Sequence, residues 1–103
     1  VLTMSASTSI ASGGTHSFIP VDISSSNGKF EFQLAGSMTH SNMTFSIEVS
    51  QDDTTYHPFP ILFTILNNNV SATFDMVFRF HRIKVTNNTA DTHTVSYIQT
   101  GRH

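Results

Sequence analysis

A chain of 103 residues has room for one domain and one hydrophobic core. Five Lys and Arg against seven Asp and Glu give a formal net charge of −2, which leaves no basic footprint for nucleic acid and no electrostatic attraction to an anionic membrane. There is no Cys, so a disulfide framework and thiolate chemistry are excluded, and no apolar run approaches the roughly 18 residues that span a bilayer. Charged residues make up 12%, about half the usual share, so Ser, Thr, Asn and His must supply the polar surface. Nine Phe give the core a large aromatic payload. Val1-Leu2-Thr3-Met4-Ser5-Ala6 lacks the basic start and apolar stretch of a signal peptide.

Residues 1–14 read as an N-terminal arm or an edge strand, with weak alternation through Leu2, Met4, Ala6, Thr8 and Ile10 and a turn at Gly13-Gly14. Residues 15–103 read as a single β-sandwich domain. Ile19, Val21 and Ile23 share a face, and Pro20 restricts that segment to an edge strand or two short pieces. Asn27-Gly28 is a hairpin signal. Phe30, Phe32 and Leu34 alternate with Lys29, Glu31 and Gln33; Met43, Phe45, Ile47 and Val49 repeat the pattern, and the short connection between the two runs predicts a hairpin. Ser50 to Thr55 is an acidic turn, and Tyr56 to Pro60, with two prolines, reads as irregular. Ile61 to Leu66 is apolar on both faces, which predicts either a doubly buried strand or a contact with another subunit. Asn67-Asn68-Asn69 ends it as a turn. A last strand covers Thr92 to Thr100, with Val95 and Tyr97 on one face, Ile98 on the other, and a tail from Gly101.

The central element spans Ala72 to Val85. Phe74, Met76, Phe78 and Phe80 fall on one face at a period of two, opposite Thr73, Asp75, Arg79 and His81. The phase then inverts: Ile83 and Val85 are apolar, Arg82 and Lys84 polar. A bulge near His81 and Arg82, or a bend into a second sheet, is required. The whole predicts an all-β, jelly-roll-like antiparallel β-sandwich of seven or eight strands. The Cys and Trp of an immunoglobulin framework are absent.

Chemistry is sparse. Six His form no His-x-His or His-x-x-x-His pair; His40, His57 and His93 are the set that loops at one end of a sandwich would gather around a metal. Asp52-Asp53 with Asp91 is the calcium candidate, without the twelve-residue calcium loop. Glu31 and Glu48 fall on solvent faces, where nothing raises one carboxyl as an acid partner. No Gly-x-Ser-x-Gly elbow or phosphate loop occurs. No catalytic residue, cofactor or metal is therefore assigned, and a non-enzyme is expected. Arg79, Arg82 and Lys84 are expected on the solvent face, opposite Glu31 or Glu48. Three glycosylation triplets begin at Asn42, Asn69 and Asn87, all in predicted turns. A surface with so little charge suits a subunit held in an assembly. Ile61, Leu62, Phe63, Ile65 and Leu66, with Leu2 and Met4, are its expected contacts.

Gly36 to Phe59 resembles a pattern of small β-sandwich proteins of tailed-phage virions: a strand ends in Ser, an Asp-containing turn follows, and an aromatic comes next. Here the turn is Asp52-Asp53 rather than Asp-Gly, and Tyr56 stands where Trp is usual. Phe80 to Thr89 with His93 to Tyr97 looks like the closing hairpin of such domains. The resemblance implies a virion structural subunit, most of all a capsid decoration protein, that contacts copies of itself in a trimer or higher ring and other virion proteins, without nucleic acid or membrane. The alternative is a carbohydrate- or receptor-binding module using Tyr56 and His57.

Overall fold

The computed structural model describes residues 2–23 and 30–102, without the side chains of Leu2 and Phe30. The Asn27-Gly28 turn and Lys29 lie outside the described residues. Ten strands are described: β1 (Leu2–Ile10), β2 (Thr15–Ser17), β3 (Val21–Asp22), β4 (Phe30–Met38), β5 (Met43–Ser50), β6 (His57–Phe59), β7 (Thr64–Leu66), β8 (Asn69–Met76), β9 (Phe80–Asn87) and β10 (His93–Arg102). They form two antiparallel sheets. The first has the order β1-β10-β4-β8-β7; the second has the order β2-β9-β5-β6, with β3 also on β9. The architecture is all-β and sandwich-like.

The chain passes repeatedly from one sheet to the other, and this corrects two expectations. The runs at 30–38 and 43–50 do not form a hairpin: β4 pairs with β10 and β8, whereas β5 pairs with β9 and β6. The expected closing hairpin is likewise divided, with β9 in the second sheet and β10 in the first. A short polar connection serves a crossover as well as a turn, so the local pattern does not separate them. Among the described residues, β7–β8 is a tight hairpin at a turn that the sequence marks by residue type. There Asn67 and Asn68 adopt φ of 51° and 64°, between the paired Leu66 and Asn69.

The strand count exceeds the expected seven or eight because interruptions split the edges. Pro20 separates β2 from β3. Pro58 sits within β6, opposite Glu48, and not in an irregular stretch. That strand is an edge, so the missing N–H need not face a neighbour. The Ile61 to Leu66 segment forms a strand only over Thr64–Leu66, and all three of those residues are exposed. Leu2 to Ile10 pairs along its whole length with β10 as an edge strand. Gly101 and Arg102 belong to β10 and are not a tail.

Alternation builds the core. Val70, Ala72, Phe74 and Met76 of β8 face Ile83 and Val85 of β9, with Phe32, Leu34, Phe45, Ile47, Val49, Val95 and Tyr97 between the layers. The inversion of phase along 72–85 comes from the second of the two expected alternatives, passage into the other sheet, and it occurs at 77–79 between β8 and β9 with no bulge at His81 and Arg82. His81 therefore falls in the inward register with Ile83 and Val85 and is completely buried. Its placement on the polar face is overturned, and Phe80, expected inside, is half-buried.

One end of the molecule is tied by Asn87, which is fully buried. Its amide donates to the carbonyls of Ile10 and Asp91, both at 2.8 Å. Its Oδ1 accepts from the Thr89 N–H at 2.9 Å and the Thr89 hydroxyl at 2.7 Å. Its main chain bonds to Gly13 and Gly14. All four bonds of the side chain are satisfied, and that leaves no room for a glycan on Asn87 in the folded chain. Asn87→Ala is expected to cost about 2–3 kcal/mol, lowering the melting temperature by roughly 10–20 °C. The exposed Asn88→Ala should stay within about 0.5 kcal/mol. Thermal melts of both variants check this.

Candidate functional site

The acidic turn after β5 is closed by its own side chains. The Ser50 hydroxyl, buried, donates to Asp52 Oδ1 at 2.9 Å and accepts from the N–H groups of Asp52 and Asp53. Asp52 Oδ1 also accepts from the N–H groups of Thr54 and Thr55, at 2.9 and 3.0 Å. These bonds, the Thr55 N–H first, hold the Asp52 carboxyl down at about 2. Asp53 takes a left-handed conformation, φ 60°, and accepts the Tyr56 hydroxyl. Burial first, and then the Asp53 hydrogen bond, push the Tyr56 phenol up to about 12. The Arg82 guanidinium lies 3.9 Å from the centre of the Tyr56 ring and bonds Glu48 at 2.9 Å. Tyr56 thus has one ring face under a cation and its hydroxyl occupied. His57, on β6, is exposed.

On the second sheet Arg82 and Lys84 are paired across strands with Glu48, as expected, whereas Arg79, in the connection before β9, finds Asp22 instead of Glu31 or Glu48. Arg82 and Lys84 share Glu48, at 2.9 and 3.7 Å. Arg79 meets Asp22 at 3.3 Å, and Glu31 pairs with Arg102 on the first sheet. Phe78 packs partly against the core, and the rings beside these charges are already engaged by them: Arg79 lies over Phe80 at 4.8 Å and Arg82 over Tyr56.

The histidines are divided. His40 and His93 approach to 5.0 Å between ring centres, because β4 and β10 are neighbours. Their Nδ1 atoms are engaged locally, with the Asn42 N–H at 2.9 Å and the Thr39 hydroxyl at 2.8 Å. His57 pairs with Val49, at the other end of β5, about 20 Å of strand away. Asp91 lies beyond the Asn87 end of β9, whereas Asp52 and Asp53 lie at the Phe80 end. Neither candidate trio is brought together, and among the described residues no group of three or more His, Asp or Glu is placed to hold a metal ion.

Sequence reading missed a buried polar pair. His81 Nε2 lies 2.8 Å from Gln99 Oε1 between the sheets, with the Phe32 and Phe74 rings edge-on to the imidazole at 4.5 and 5.7 Å. His81 Nδ1 and Gln99 Nε2 have no hydrogen-bond partner among the described residues. Burial lowers the imidazole to about 4, against the opposing pull of the Gln99 contact. The ring is therefore neutral at pH 7. Enclosed by phenyl rings, it has no access to a substrate, and its consequence is for stability.

The remaining feature is a surface. Outward residues of the first sheet include Ser5, Ser7, Ala35, Ser37, Ser71, Thr73 and Ser96, with Ile98 standing among them. Among the described residues, charge on that face is confined to one row, Arg102–Glu31–Asp75, at the strand ends. Of the expected contact residues, Leu62 and Leu66 are 89% and 68% exposed and Ile65 is 43% exposed. Ile61, Phe63 and Met4 pack partly against the core. Leu2 is placed in β1, and its side chain lies outside the description. Comparison with protein-family models and with curated proteins finds no match to this chain.

Proposed function

We propose that this chain is a non-catalytic structural subunit, of the kind found in phage virions as a decoration protein, acting through contacts with copies of itself and with neighbouring virion proteins. We also read the sandwich as a jelly roll. Merging β2 with β3 as one interrupted strand, and setting the short β7 aside, leaves eight strands, four in each sheet, with the chain crossing between the sheets at every step except β5 to β6. That is the two-Greek-key plan common in capsid proteins, though shared with lectins and cupins. The observation that carries the functional reading is the broad, nearly uncharged outer face of the first sheet, bordered by exposed Leu66. A free monomer is better served by charge there.

The carbohydrate-binding alternative draws less support, because Arg82 covers one face of Tyr56 and Asp53 holds its hydroxyl. Light scattering of the purified chain over a concentration series tests the choice. A mass above that of the monomer is expected. A strict monomer at ~100 µM together with saturable glycan binding would overturn the reading.

A further inference from the structure

We propose that the outer face of the first sheet docks a second copy of this chain, face to face about a two-fold axis. The proposal rests on the assembly reading above and specifies its contact. Four long strands at a spacing of ~4.8 Å, each with about eight residues at ~3.3 Å, together with the three residues of β7, make a face of roughly 550 Å². Doubled over two copies, this is about 1,100 Å², which clears the ~1,000 Å² expected of a specific interface. The outer face of the second sheet, by contrast, carries Arg82, Lys84 and Glu48 across its central strands.

The face is self-complementary in shape. Ile98 lies in register between Ser5 of β1 and Ala35 of β4, and it is 48% exposed. Shallow hollows flank it. Ser5, Ser7, Ser37 and Ser96 line one, and Thr64, Ser71 and Thr73 line the other. A two-fold operation places the Ile98 of each copy against a hollow of the other, with each contact made twice. Small side chains allow the backbones to approach within the ~10 Å of packed sheets.

The cost of drying the face is reduced by its own bonding. The Ser37 and Ser96 hydroxyls pair across strands at 3.0 Å, and those of Ser9 and Thr94 at 3.1 Å. These groups keep a partner when water leaves. In the charged row, Arg102 is already paired with Glu31. It lies at one end of the strands, so a two-fold contact centred on Ile98 can leave it at the rim. A partner of opposite charge would find no complement on this face. A second copy does.

The test is sedimentation equilibrium of the full chain beside Ile98→Arg, Ala35→Arg and the off-face control Val77→Arg, each with a thermal melt. The expected result is a dimer for the parent chain and for Val77→Arg. Ile98→Arg should remain folded and dissociate at least 100-fold more readily. If Ile98→Arg does not fold, Ala35→Arg is read in its place. A parent trimer or odd-numbered ring would overturn the two-fold contact while leaving the assembly reading intact, and so would a dimer indifferent to both face variants. A parent monomer would overturn the two-fold contact, and the assembly reading falls with it if the chain also binds glycan saturably.

Discussion

Replacing Gly101 by Ala is expected to destabilise the fold by about 3 kcal/mol. A Cβ at this position would lie 2.3 Å from Phe32 Cε1 and 2.8 Å from Cδ1. Gly101 and Phe32 are directly opposed on β10 and β4, and the ring lies across the glycine. The ring has nowhere to retreat. It is 1% exposed, stacked on Phe74 with centres 5.5 Å apart, and edge-on to His81. The two positions should therefore be strongly coupled. Phe32→Ala alone should cost about 3–5 kcal/mol, and adding Gly101→Ala to it should cost at least 1 kcal/mol less than adding it to the parent. Urea titrations of the four proteins give the cycle. Additive effects, or a neutral Gly101→Ala, would show that the Phe32 ring is not packed where it is described.

Acid is expected to weaken the fold well before most carboxylates protonate. His81 falls from the ordinary 6.5 to about 4 on burial. Its folded pKa is depressed, so the unfolded chain takes up the proton first. The stability is complete above pH 6.5 and is lost as pH falls from 6.5 toward 4. At 1.36 kcal/mol per unit this amounts to roughly 3 kcal/mol. Asp52 acts at lower pH. Its carboxyl is depressed from 3.8 to about 2, so its contribution is present above 3.8 and is lost as pH falls toward 2. Denaturant midpoints at pH 7, 5.5 and 4 should decline steadily, and His81→Gln should flatten that decline while leaving the fall below pH 3.8. An undiminished slope in the variant would place the acid sensitivity elsewhere.

Much of the layer plan was legible because alternation is a direct record of which side chains face the core. Phe32, Leu34, Phe45, Ile47, Val49, Ile83, Val85, Val95 and Tyr97 are all inward, as their spacing implied. The same arithmetic contained His81 and Gln99. His81 shares phase with Ile83 and Val85, and Gln99 with Val95 and Tyr97. They were missed because the apolar Phe78 and Phe80 extended the earlier phase past its true end at Met76. A polar residue is not expected inward unless its partner, here 18 positions away, is known. Strand pairing was not legible. Crossovers and hairpins use the same polar connections, and partners such as β1 and β10 stand at opposite ends of the chain. The candidate face escaped notice for a related reason. Residues 61–66 drew attention by their apolar content, whereas Ser5, Ala35 and Ile98 converge only once β1, β10 and β4 are neighbours.

Small-angle X-ray scattering of the parent chain tests the face-to-face assembly most directly, since it reports shape as well as mass. The single chain has a Cα radius of gyration of 13.4 Å and extents of 43 × 27 × 20 Å. Stacking two copies through the first sheet separates their centres by about 20 Å and gives a radius near ~17 Å. Two copies joined side by side through sheet edges are separated by the 27 Å width, giving about 19 Å. A dimer mass with the smaller radius is the predicted result. A dimer with the larger radius, or a particle of monomer mass at high concentration, would contradict it.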